Sequence, residues 1–181
     1  MRITIVLLAL AAIIIEPARG QAPTETLLLQ MPESFKVGFQ KGSMTEWVPA
    51  GQTVEDWSEM ITVQVYRIDP RVTQASFLQT LGALWLQACP ETPKQNIFNG
   101  QTNGYQVSML VLSCPHNAQT GKPETTVFRV ILGNDSLYSI QRAYRLVPTR
   151  EQLAATMKFM GTVSLCDKVR PGHPCPEGQT N

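Results

Sequence analysis

The chain has 181 residues, a formal charge of +1 and 16% charged residues. Such a length suits one domain once a leader is removed. The even charge balance leaves no basic excess to hold nucleic acid or an anionic membrane surface, and neither G-x-G-x-x-G nor G-x-x-x-x-G-K-[ST] occurs to cradle a nucleotide.

Residues 1–20 read as a signal peptide. Arg2 precedes an apolar run from Ile3 to Ile15, which Glu16-Pro17 breaks, and Ala18-Arg19-Gly20 supplies a small-x-small cleavage site. The run has 13 residues, short of the ~20 that span a membrane. Cleavage after Gly20 is expected, leaving no transmembrane anchor and a periplasmic or secreted protein. Of the 15 basic and 14 acidic residues, two (Arg2, Arg19) and one (Glu16) leave with the leader, so 13 of each remain. Residues 21–166 are expected to form one α+β domain, with a Pro/Gly-rich tail at 167–181.

In chain order, Leu27 to Met31 is a short apolar start. Phe35, Val37 and Phe39 alternate with polar residues or glycine, which predicts a strand. Lys41-Gly42-Ser43 turns the chain into a second strand, Met44 to Val48. Ile61, Val63 and Val65 alternate through a third. After Asp69-Pro70 the period changes. Gln74, Phe77, Leu78, Leu81, Leu84, Trp85 and Ala88 predict an amphipathic helix over about 72–88, ended by Cys89-Pro90. Asn96 to Gly104 is turn-rich. Tyr105 to Cys114 is a long strand, with Val107, Met109 and Val111 on one face and Ser108, Leu110 and Leu112 on the other. Thr125 to Leu132 and Leu137 to Leu146 form a hairpin around Gly133-Asn134-Asp135-Ser136, a stretch that also matches a glycosylation sequon. Thr149 and Gln152 make a capping box for a last helix whose buried stripe is Leu153, Met157 and Met160. The predicted order is β-β-β-α-β-β-β-α, an antiparallel sheet flanked by helices.

An oxidising compartment and an even count make disulfides the expectation for Cys89, Cys114, Cys166 and Cys175. Of the three pairings open to four cysteines, Cys89–Cys114 with Cys166–Cys175 is preferred. The first joins a helix end to a strand end, and the second closes a short C-terminal loop.

The order of elements over residues 27–165 resembles the Mog1/PsbP-like fold, an α/β/α sandwich. The stretches TEWVPAGQTVEDWSEM, NGYQVSMLVLSCP and TGKPETTVFRVILGNDSLYSIQRAYR resemble a family of exported bacterial proteins without an assigned activity. The Mog1/PsbP resemblance implies a protein that binds other proteins and lacks a shared catalytic centre. It places no functional residue on this chain.

Three stretches invite chemistry. TEWVPAGQTVEDWSEM carries Trp47 and Trp57 among Glu46, Glu55, Asp56 and Glu59. A glycosidase needs two carboxylates about 5–9.5 Å apart across a cleft, but nothing else supports a sugar site. The structural expectation is one helical turn, Val54 to Ser58, capped by Thr53 and Asp56, with Trp57 as a lid over the sheet edge. Trp47 and Trp57 are also the candidate partner-binding anchors. Cys114-Pro115-His116 resembles the opening of a thiol oxidant, but Asn117 stands where C-x-x-C needs its second cysteine. His173-x-Cys175 lacks a second ligand pair at zinc spacing, and no cofactor or metal is expected. The resulting expectation is a non-enzymatic protein-interaction module of the bacterial envelope, with an unidentified protein partner there. The alternatives are an envelope enzyme or thiol-redox helper using Cys114 and His116, and a small-ligand binder with its ligand under a helix.

Overall fold

The structure is a computed structural model that describes residues 24–67, 71–94, 96–118, 120–134 and 136–177. The expected signal peptide lies outside these residues. Among the described residues the strands are β1 (Glu25–Leu28), β2 (Phe35–Lys41), β3 (Met44–Pro49), β4 (Glu59–Arg67), β5 (Phe98–Thr102), β6 (Tyr105–Cys114), β7 (Glu124–Leu132), β8 (Ser136–Tyr144) and β9 (Ser164–Asp167). The helices are α1 (Gln74–Ala88), after β4, and α2 (Arg150–Thr162), after β8.

Seven strands form one antiparallel sheet in the order β2-β3-β4-β8-β7-β6-β5. The connection from β4 to β5 runs from the middle of the sheet to its far edge, and α1 makes that crossing over one face. Leu78 of α1 packs there with Leu110, Leu112, Phe128, Val130 and Leu137. The opposite face meets α2, where Phe159 and Met160 pack with Ile61, Val63, Val127 and Ile140. Strand β7 is central and covered on both sides, so Thr125 to Ile131 is buried without a break. This gives the α+β sandwich expected from the Mog1/PsbP resemblance. Thr149 and Gln152 close the predicted capping box at α2. At α1 the box is Thr73 with Ser76, which starts the helix two residues later than the apolar period implied.

The structure adds three strands to the expected order. β1 pairs only with β9, Glu25 opposite Asp167, in a small separate sheet beside α2. Each has four residues, too few for a period to show, and their partners lie at opposite ends of the described chain. β5 (FNGQT) has no alternating pattern because it is an exposed edge. Its hairpin to β6 turns through Asn103 and Gly104, at φ 45° and 79°, the Asn-Gly pair that a two-residue hairpin turn favours. The helical turn expected at Val54 to Ser58 does not form. A bend replaces it, with Thr53 N–H donating to the Asp56 carbonyl at 3.2 Å and Asp56 N–H to Thr53 Oγ1 at 3.3 Å. The Gln52 side chain grips Ser58, accepting from its N–H at 2.7 Å, and the bend turns Trp57 inward.

Candidate functional site

The carboxylates of TEWVPAGQTVEDWSEM do not converge. Glu46 stands opposite Thr62 on β4, whereas Glu59 is three residues before Thr62 and so projects from the other face. Glu59 pairs with Arg142, whose guanidinium lies 5.5 Å from the Phe159 ring centre. Glu46 has its pKa raised by burial. Asp56 is exposed and sits 3.8 Å from Lys122. The glycosidase arrangement is therefore absent from this stretch. Trp57 is 7% exposed and packs with Val48, Met60 and Ala143. Arg145 covers its ring at 4.1 Å while donating from Nη1 to the Glu55 carbonyl at 3.1 Å. Trp57 is thus a buried core residue, and it also lines a shallow depression with Gln52, Asp56, Ser58, Lys122 and Arg145. Trp47 is half-buried against the α2-side core.

Cys89 is joined to Cys114, with Cα atoms 5.7 Å apart, and Cys166 to Cys175 at 4.9 Å. No cysteine is free. Cys114 is 2% exposed, so it offers no thiolate, the species that redox or nucleophilic chemistry requires. His116 lies exposed in the loop beyond it. His173 instead stacks on Tyr105 with ring centres 4.0 Å apart, and its Nδ1 is 2.8 Å from the Asn103 carbonyl. Among the described residues no three His, Cys, Asp or Glu side chains converge as a metal site.

A buried polar cluster, not foreseen from the sequence, ties the tail to the sheet. Glu25 accepts from Asn134 N–H at 2.7 Å and from its Nδ2 at 2.6 Å. Asp167, 2% exposed, accepts from Val169 N–H at 2.8 Å, Thr24 Oγ1 at 3.1 Å and Arg170 N–H at 3.2 Å. These donors, the Val169 amide foremost, lower its pKa. Tyr105 sits beside both acids; burial first, then the negative charge of Glu25, pushes its hydroxyl pKa far up. The members bond to one another and tie Thr24 and Glu25 to Asn134 and to the segment from Asp167 to Arg170, a structural role. No local pattern signals it, because its members come from four separate segments.

The candidate binding surfaces flank β6. One lies on the α2 side. Val111, Ser113, Thr125, Val147, Pro148 and Leu153 line a depression of about 300 Å³. Val147 is 76% exposed and Met157 is 48% exposed. Phe98 of β5 stands opposite Met109 of β6 and is 64% exposed. Met109 and Val111 share a face with Phe98, because alternate strand residues point the same way. Leu153, which lines the depression, and Met157 are one helical turn apart and so share a face of α2. On the α1 side lies a second apolar groove, between the helix and residues 92–97. Among the described residues no helix is long and apolar enough to cross a membrane.

No protein-family model and no curated protein matches the chain by sequence. Solved structures do match. LpqN of Mycobacterium tuberculosis, described as involved in cell envelope biogenesis, superposes with a TM-score of 0.56 at 12% identity, covering 81% of this chain and 87% of that one. The Ran-binding protein Mog1p of Saccharomyces cerevisiae gives 0.47 at 11% identity over 75% and 83%. The PsbP protein CyanoP of Synechocystis gives 0.42 at 10% over 84% and 98%. At these identities the likeness is one of fold, and the disulfides are compatible with an extracytoplasmic protein; the chain shares with LpqN the fold of an antiparallel sheet flanked by helices.

Proposed function

We propose that the chain is a non-enzymatic protein-interaction module of the bacterial envelope, and that its docking surface is the apolar strip on the α2 side of β6. The observation that carries this reading is the exposure of three large apolar side chains, Phe98 on β5, Val147 at the depression beside Val111 and Ser113, and Met157 on α2. The strip follows β6 from Met109 to Ser113, about 14 Å at the usual strand rise. That length matches two to three turns of helix. An amphipathic helix of an envelope partner, with apolar residues at i, i+4 and i+7, would lie beside α2 and complete the layer. Met109 and Met157 suit such a contact, since methionine adapts to irregular surfaces. The likeness to LpqN, itself described as acting in envelope biogenesis, supports the compartment. The redox alternative lacks a thiol, because Cys114 is bridged.

The test is crosslinking in the envelope of the producing cell, followed by co-purification through a C-terminal tag. One partner should appear in stoichiometric amount with the wild type. It should be lost from a Phe98→Glu/Val147→Glu variant whose melting temperature is unchanged, because both side chains are exposed. Equal capture by wild type and variant, or no stoichiometric partner at all, overturns the reading.

A further inference from the structure

The groove on the α1 side of β6 has a volume of about 280 Å³. Leu78, Gly82, Leu86, Ile97, Leu110 and Leu112 line it. Leu78, Leu110 and Leu112 form its buried floor, and Leu86 stands at its rim, 46% exposed. Gly82 is an interior position of α1, where glycine is among the poorest helix formers. A Cβ there would meet only Leu110 Cδ2, at an ordinary 3.7 Å, so crowding does not demand glycine. Its absent side chain is what leaves the space. The walls are held apart from collapse as well. Cys89–Cys114 ties the end of α1 to the end of β6. Trp85 Nε1 donates to Thr92 Oγ1 at 2.9 Å and fixes the facing segment. A concave apolar site with fixed walls is preformed for an apolar ligand. Gln79 and Lys94 bring the polar groups to its exposed rim. Among the described residues no carboxylate pairs with Lys94.

We propose that this groove binds a single-chain anionic amphiphile, a free medium-chain carboxylate. The alkyl chain lies between α1 and β6 over Gly82, and the carboxylate meets Lys94, with Gln79 as a hydrogen-bond donor. The site is separate from the α2-side strip and does not depend on it.

Decanoate, below its micelle concentration, is titrated into the full secreted chain by calorimetry and by amide NMR. Saturable one-site binding is expected, with shifts confined to α1, residues 92–97 and β6. Octanoate should bind about tenfold more weakly, the loss that two buried methylenes produce. Gly82→Leu fills the groove and should weaken decanoate more than tenfold. Lys94→Glu, at an exposed position that leaves folding unchanged, should weaken decanoate at least several-fold and decyltrimethylammonium not at all. Absence of saturable binding overturns the proposal, as does binding that neither Gly82→Leu nor Lys94→Glu weakens. Partner capture by the Gly82→Leu protein separates the two surfaces: it is retained if the α2-side reading holds, whatever decanoate does.

Discussion

Trp57 and Arg129 show how burial decides what a side chain is for. Trp57 sits in an acidic, turn-rich stretch where a lid over the sheet edge is expected, and at 7% exposed it is buried more deeply than a lid. Trp57→Ala should cost about 3–5 kcal/mol in urea unfolding, the usual range for deleting a buried tryptophan; a loss under about 1 kcal/mol would return the residue to the surface. Arg129 reads as one polar residue in an apolar strand. It is 6% exposed, and its register partners are Met109 and Ile140. Its Nη1 faces the Met109 sulfur at 3.8 Å, and Nε has no partner among the described residues. Burial lowers its pKa. A buried charge without a countercharge is weak support for a fold. Arg129→Met should therefore leave the urea midpoint unchanged or raise it. Asp167 is the contrasting case, a buried acid that is well supplied with donors. Its carboxyl pKa is lowered from the ordinary 3.8. The stabilisation is therefore present above the unfolded pKa and is lost as pH falls through the folded one. Melting temperature should drop as pH is lowered from about 5 toward about 2, and Asp167→Asn should flatten that slope while lowering stability at neutral pH.

At the scale of elements, the β5–β6 hairpin depends on its turn and on what rests against it. Gly104 has φ 79°, and a Cβ there would come within 2.7 Å of His173 Nδ1. Gly104→Ala should destabilise by about 1–2 kcal/mol from the left-handed backbone alone, and more where the imidazole cannot yield. Chemical denaturation of the variant checks this, and loss of the His173–Tyr105 stack should appear in the histidine NMR signals. The long elements were legible because their periods are long. β4, β6, β7 and β8 each have nine or ten residues, and α2 carries its capping box in the letters Thr149 and Gln152. β1, β9 and β5 were not. Their pairing follows from what the rest of the chain brings alongside, although Asn103-Gly104 marked the β5 hairpin for a reader looking for it.

For the whole molecule, two covalent ties close loops of different length. Cys89–Cys114 spans 25 residues and Cys166–Cys175 spans 9. Loop-closure entropy assigns them about 3.5 and about 2.6 kcal/mol. Unreduced protein should show no alkylatable thiol, and Cys89→Ala/Cys114→Ala should lower the urea midpoint more than Cys166→Ala/Cys175→Ala does. The order of effects would invert if the tail cluster around Asp167 unravels with its bridge. The sequence by itself determined the long strands, both helices and the flanked antiparallel sheet, because hydrophobic period and capping are local properties. The disulfide pairing it only favoured, among three. Tertiary structure alone decided which faces α1 and α2 leave uncovered. It alone also decided that Trp57 turns inward and that Glu25 and Asp167 meet across a two-stranded sheet. Burial and exposure are set by neighbours distant in the chain, and one residue's identity does not carry them. The candidate surfaces beside β6 therefore appear only once the helices have taken their places.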